Sequence, residues 1–215
     1  MSMEWILSAC MGVGLAACCG FRVFVPLLIA SVATRLGFIH PTADFAWLSG
    51  WTALIGLAVA TIFEIGSYYI PWLDNVLDTI ATPASVIAGT IISTSLLHVD
   101  IPLFQWGLGL ILGGSSAGII QAGTSLLRLG STATTGGLAN PVVATGENVA
   151  SVGLSLFTIL LPLIAIVVVF LVLLFIIGRL VTRRKIWFTK ASGQVSPSQA
   201  STPTTKIPGS SNGRH

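Results

Sequence analysis

Arg22, Glu64 and Gln121 are the side chains best placed to do chemistry, because each stands inside a long apolar stretch. A charged group at membrane depth costs about 2.5–3.5 kcal/mol on insertion scales, so it must face the bundle interior, find a partner or carry a neutralising proton. For Glu64 the chemistry on offer is an ion, proton or substrate contact. The structural alternative is an interhelical hydrogen bond, or a place near the interface wetted by headgroups. Arg22 follows the same logic with opposite sign, and pairing with Glu64 or an aspartate would neutralise both. Thr61, Ser67 and Tyr68 lie within a turn of Glu64 and can share its hydrogen bonds.

Glu64 and Gln121 end the same pattern. Gly56, Ala60, Glu64, Gly66 and Ser67 are matched further along by Gly113, Ala117, Gln121, Gly123 and Thr124. Four-residue steps put Gly56, Ala60 and Glu64 on one helix face, so a small-residue stripe suited to helix packing leads to a polar head. Gly66 and Gly123 belong to the same small-residue set. A duplicated membrane unit is expected, with a charged head in one copy and a neutral one in the other.

Asp74 and Asp78 share a face if their segment is helical and can gather cations at an outer mouth, or form an ordinary solvated face. Asn140, Glu147 and Asn148 can complete a polar pocket against the Gly/Ser/Thr-rich connection 128–146, which carries no charge after Arg128, itself a candidate for the ion or substrate pathway. Glu147 and Asn148 open the last helix, where a carboxylate is favourable against the helix dipole, so capping is the default role for both. Cys10, Cys18 and Cys19 have no metal-ligand spacing and read as small buried residues. No catalytic constellation, metal site or cofactor motif is found, and an enzyme is not expected.

The elements that must hold these groups are membrane helices. Hydrophobic residues make up 53% of the chain and charged residues 8%, with a mean hydropathy of +0.92. Soluble domains carry about 25% charged residues. The apolar runs approach the roughly 20 residues that cross a bilayer and lack the alternation of barrel strands. The expected fold is an all-α polytopic transmembrane bundle of five to six membrane segments, with an internal two-fold repeat (copies about 47–98 and 103–157) and broken or re-entrant segments. Residues 3–36 are the first of these: Gly12, Gly14, Gly20, Arg22 and Pro26 interrupt them, as in a broken helix or membrane-entering hairpin.

Residues 47–70 read as a span with Trp47 and Trp51 at one interface and Tyr68, Tyr69 and Trp72 at the other. Residues 71–81 read as a short amphipathic connection, followed by a span over about 82–98 with Pro83 in its first turn. Another span covers 103–127. The connection 128–146 is either an exposed loop or a segment dipping back into the protein. Residues 147–182 read as one long helix flexed at Pro162. The integral membrane domain is placed at 1–186 and a disordered cytoplasmic tail at 187–215.

All seven acidic residues precede residue 179, together with the basic residues Arg22, Arg35 and Arg128. Arg179, Arg183, Arg184 and Lys185 follow the last apolar run, which makes them an orientation signal with the C-terminus cytoplasmic, in preference to a nucleic-acid contact. Alternate crossings then put Asp74, Asp78 and the 128–146 connection outside. Each copy would contain two crossings, so the copies would run parallel.

The stretches CGFRVFVPLLIAS (19–31), YYIPWLDN (68–75), LDTIATP (77–83), LLRLGSTATTGG (126–137), LANPVV (138–143) and GEN (146–148) resemble the bacterial membrane family known as domain of unknown function 4126. The likeness runs over about residues 12–178. It implies a multi-spanning protein of the bacterial inner membrane and brings no activity, cofactor or catalytic residue.

Two functions compete. A small transporter or channel-like permease for an ion or small solute would gather Arg22, Glu64 and Gln121 around a cavity. A scaffold or assembly factor would pair them tightly or turn the small-residue stripe outward. The partners expected are the lipid bilayer, a transported ion or solute, and further copies of the chain in a homo-oligomer.

Overall fold

A computed structural model describes residues 3–192, with backbone alone for 71–76, 78 and 180–192. Of the described residues, those up to Gly178 form one compact unit and those from Arg179 belong to a second. Among the described residues every regular element is helical. The expected tail lies outside them beyond Ser192.

The first apolar stretch is broken in two. Helix α1 (Met3–Cys18) and helix α2 (Phe24–Arg35) flank a turn at 19–23. The carbonyls at the end of α1 are closed locally: the Gly20 N–H donates to Ala17 O, and the Phe21 and Arg22 N–H groups to Cys18 O. Pro26 sits in the first turn of α2, where a missing N–H does least harm. Gly20 lets the break touch the helix at Ser115–Thr135; a Cβ there would lie 2.5 Å from Ala117 O and 2.6 Å from Ile120 Cβ. We expect Gly20→Ala to lose about 1–3 kcal/mol, read as a lower unfolding temperature in detergent.

A 3-10 turn (Ala43–Ser49) leads into α3 (Trp51–Ser67), bent from it by 63°. Helix α4 runs unbroken over Pro71–Leu96 with Pro83 inside it. This corrects the expectation of a separate amphipathic connection over 71–81: Pro71, at the first helical position, starts the helix, and Pro83 is tolerated within it. Helix α5 (Pro102–Leu108) continues through a π-helical segment at Gly109–Gly114 into α6 (Ser115–Thr135). The Gln105 side-chain amide donates to Thr94 O and Leu97 O, which satisfies carbonyls at the end of α4.

Helix α7 covers Asn140–Leu160 and α8 covers Pro162–Ser192. Both readings of 128–146 as a connection therefore give way: most of it is the end of α6 and the start of α7. The true turn is residues 136–139, where Gly136 and Gly137 take positive φ and the Gly136 N–H closes on Thr132 O. The long helix expected over 147–182 is also two helices, because Leu161, before proline, leaves helical geometry.

Among the described residues, four helices are long and apolar enough to cross a membrane, or five if the 3-10 turn and α3 count as one bent span; α1 and α2 are shorter apolar helices. The core lies where α1 and α2 meet α4: Leu15, Cys19, Val23 and Leu27 pack with Ile92 and Leu96. Ala17, Ile120 and Val169 form a second cluster between α1, α6 and α8.

Candidate functional site

Breaking a helix inside a membrane protein frees amide donors that lipid cannot satisfy. Glu64 on α3 supplies the acceptor. The Val23 N–H donates to its Oε1 at 2.6 Å and the Phe24 N–H to its Oε2 at 3.0 Å. The carboxylate thus caps the start of α2, where the dipole favours negative charge. It is 7% exposed.

Arg22, the residue before those donors, turns the other way. Its Nε donates to Asn148 Oδ1 at 2.6 Å and its Nη2 to Ala144 O at 3.0 Å, both on α7. Nη2 also lies 3.4 Å from Glu147 Oε2. Arg128 on α6 grips the same carboxylate in a forked pair, with Nε donating to Oε1 at 3.1 Å and Nη2 to Oε2. Glu147 is therefore a counter-ion shared by two arginines. Both guanidiniums lie over the Tyr68 ring, at 3.7 Å for Arg22 and 4.1 Å for Arg128; such contacts strengthen when desolvated. Arg22 is 1%, Arg128 4%, Glu147 5% and Tyr68 5% exposed.

The cluster opens to one side. A cleft of about 260 Å³ between the start of α2, α3 and α4 is bordered by Phe24, Phe63 and Ile80 and by the polar groups of Glu64, Ser67 and Tyr68. On the other side, α7 carries Ser151, Ser155 and Thr158 in helical steps from Glu147, all buried. The Ser151 hydroxyl has no partner, and Ser155 and Thr158 sit beside the Cys18 thiol. Thr61, a turn before Glu64, also holds a buried hydroxyl without a partner.

Five of the residues singled out from sequence thus come together: Arg22, Glu64, Arg128, Glu147 and Asn148. Gln121 does not join them through any hydrogen bond described; it is buried two turns before Arg128 and donates to Ser125 Oγ at 3.4 Å. Asn140 lies one turn before Ala144 and donates to Thr132 Oγ1, bracing the α6–α7 turn. The side chains of Asp74 and Asp78 are outside the described residues. Glu147, expected as a first-turn cap, lies about two turns into α7 and serves as an ion-pair partner instead.

The two small-residue stripes part company as well. Gly113 and Ala117 press on α4, where a Cβ added at Gly89 would come within 2.7 Å of Ala117 Cβ and 2.8 Å of Gly113 O. Gly123 faces Ile176 of α8. Gly56 and Gly66 are exposed and meet nothing within 4 Å, so for them helix packing within the chain is corrected; Ala60 borders the cleft.

Tyr68, expected both in an interfacial belt and within a turn of Glu64, is buried against both arginines; its contact with the guanidiniums is the part sequence reading missed. The Ala144 carbonyl has no signal of its own in sequence. Among the described residues, no group of His, Cys, Asp and Glu has a metal-holding arrangement.

No curated protein and no solved structure matches the chain significantly. Residues 9–183 match one family model, and the chain belongs to that family, described as a domain of unknown function (DUF4126).

Proposed function

We propose that this membrane protein is a small permease for an ion or small solute, entered through the α2–α3–α4 cleft and made selective by Arg22, Tyr68, Arg128 and Glu147. The observation that carries this reading is a buried four-charge cluster with a cleft at its edge. Ionisable groups are kept inside membrane helices at a cost, which makes a cluster of them a candidate for an ion or substrate pathway. The buried hydroxyls of α7 extend the polar line from Glu147 toward the other end of that helix, over about 16 Å for eleven residues. The basic cluster from Arg179 onward supports a cytoplasmic C-terminus in a bacterial inner membrane. We assign no enzymatic role.

The test is flux by purified protein in liposomes under imposed pH and salt gradients, across a panel of ions and small solutes. We expect the wild type to move at least one of them and Arg22→Gln to lose that flux while still eluting as a single species. Wild-type protein that is folded and moves nothing would reject the permease.

A second reading rests on a separate observation. Gly56 is exposed with no neighbour in the chain, and the apolar side chains Ile55, Val59 and Phe63 beside it are exposed too, a surface suited to close approach by another helix. In an assembly factor or homo-oligomer this face would be the contact. Cross-linking of the complex would then be lost in Gly56→Leu with flux untouched.

A further inference from the structure

We infer that α1 and α2 form a re-entrant hairpin that enters from the extracytoplasmic face and carries Arg22 at its tip to a vestibule reached from the cytoplasm. This sets the side from which the charge cluster is approached, and it holds whether or not a solute crosses.

Both ends of the pair lie at one face. At the start of α1, Trp5 stacks on His98 in the turn after α4, with ring centroids 6.3 Å apart. Further along α1, a Cβ at Gly12 would meet Leu96 Cβ, at the end of α4, at 3.2 Å. At the end of α2, Arg35 donates to Ser49 O at 3.0 Å and lies 3.8 Å over the Trp51 ring, where α3 begins. The Thr42 N–H then donates to Ser95 O at 2.8 Å. The hairpin therefore enters where α3 starts and α4 ends. Its tip meets the opposite ends of the helices: Glu64 near the end of α3, and Ala144 and Asn148 in the first half of α7. Arg128 and Glu147 each lie about 10 Å from the α6–α7 turn, at two helical turns. The sixteen residues of α1 reach about 24 Å, most of the roughly 30 Å of hydrocarbon.

Helix α8 gives the direction. Leu154 and Phe157 of α7 line one small cavity with Val168 and Val172, so α8 folds back along α7. Val169 packs on Ile120 and Ile176 faces Gly123, so α8 runs the same way as α6. Its apolar run thus ends on the side of the α6–α7 turn and of the start of α4, and the sequence that follows is Arg179, Arg183, Arg184 and Lys185, a cytoplasmic signal. Counting 147–182 as one helix puts the α4 positions of Asp74 and Asp78 and the turn before α7 outside; the break at Leu161 adds a crossing and brings them to the cytoplasmic side. The cleft lies on that side as well: Ser67 and Tyr68 close α3, and Leu77 and Ile80 belong to the first half of α4. Toward the other face the hairpin is packed by Leu27, Ala33, Ile39, Leu48, Ile92 and Leu96, a core with no charged group, and this closes the site from outside.

The experiment is labelling of introduced cysteines, one per variant of the full chain, by a membrane-impermeant maleimide in spheroplasts before and after lysis. Wild type is the control for the native Cys10, Cys18 and Cys19. We expect Glu4→Cys, His40→Cys and Asp100→Cys to label in intact spheroplasts, and Leu138→Cys and Ser67→Cys to label only after lysis. Labelling of Glu4→Cys and His40→Cys from opposite sides makes the pair a crossing and overturns the hairpin. Labelling of Leu138→Cys before lysis overturns the cytoplasmic placement. Ser67→Cys that labels in intact spheroplasts, or on neither side, overturns the vestibule. Glu4, His40, Asp100 and Leu138 are exposed, where substitutions leave stability close to wild type, and His40→Cys and Asp100→Cys report the same face, so either serves if the other does not accumulate. The pattern is read without flux: a protein that labels as expected and moves no solute in liposomes keeps this placement and rejects the permease.

Discussion

Glu147→Ala is expected to unfold the bundle more readily than truncation of any other charged residue, with a loss of about 3–5 kcal/mol. Two buried arginines converge on this one carboxylate, Arg128 through a fork and Arg22 at 3.4 Å. Removing it leaves two buried cations close together over one Tyr68 ring. Arg128→Met should cost less, because it leaves an intact Arg22–Glu147 pair and replaces a buried stem with an apolar one of similar length. Unfolding temperatures in one detergent rank the two variants. Equal losses would mean that Glu147 does not serve both arginines. Glu147→Gln should fall between them, keeping an acceptor for Arg128 while losing the charge.

How much of this was legible from sequence differs by element. The apolar spans, an interruption within residues 3–36 and an inward place for Glu64 and Arg22 were legible, and the structure has all three, with the break falling after Cys18. The meeting of Arg128 with Glu147 was hidden because the residues between them are rich in Gly, Ser and Thr. Such residues have low helix propensity, so 128–146 read as a connection. Tertiary contacts override that preference and extend α6 and α7 past both residues.

Pro83 and Pro162 show the converse limit. Both read as features of a helix near its start or middle. One lies well inside α4 and the other opens α8 after Leu161 departs from helical geometry. The sequence around each proline names a disturbance without its size. The likeness between the stripes ending in Glu64 and Gln121 is likewise real as a pattern, yet the heads have different neighbours. Only Glu64 faces a broken helix with free amides.

Gly113→Leu is expected to abolish the folded bundle, whereas Gly56→Leu leaves the stability of the single chain within about 0.5 kcal/mol of wild type. Sequence gives these glycines equivalent places, four residues before Ala117 and Ala60. Their surroundings are opposite. Any Cβ at Gly113 would collide with the Gly89 carbonyl and the Ser93 side chain of α4, and backbone cannot yield as a flexible side chain does. Gly109 is as tightly placed against Thr94, so the π-helical segment meets α4 along a line of small residues with no slack. Overpacking one methylene costs about 1–3 kcal/mol in a well-packed core, and leucine adds four carbons where even the first does not fit. Separating α4 from the π segment would also pull Ala117 away from the break at Gly20, which carries Arg22 to its partners. Gly56 has nothing within 4 Å. The measurement is the monodisperse yield and unfolding temperature of each variant in detergent. A folded Gly113→Leu would disprove the close crossing of α4. A Gly56→Leu protein that is stable as a monomer but no longer forms cross-linked copies would assign the exposed stripe to assembly.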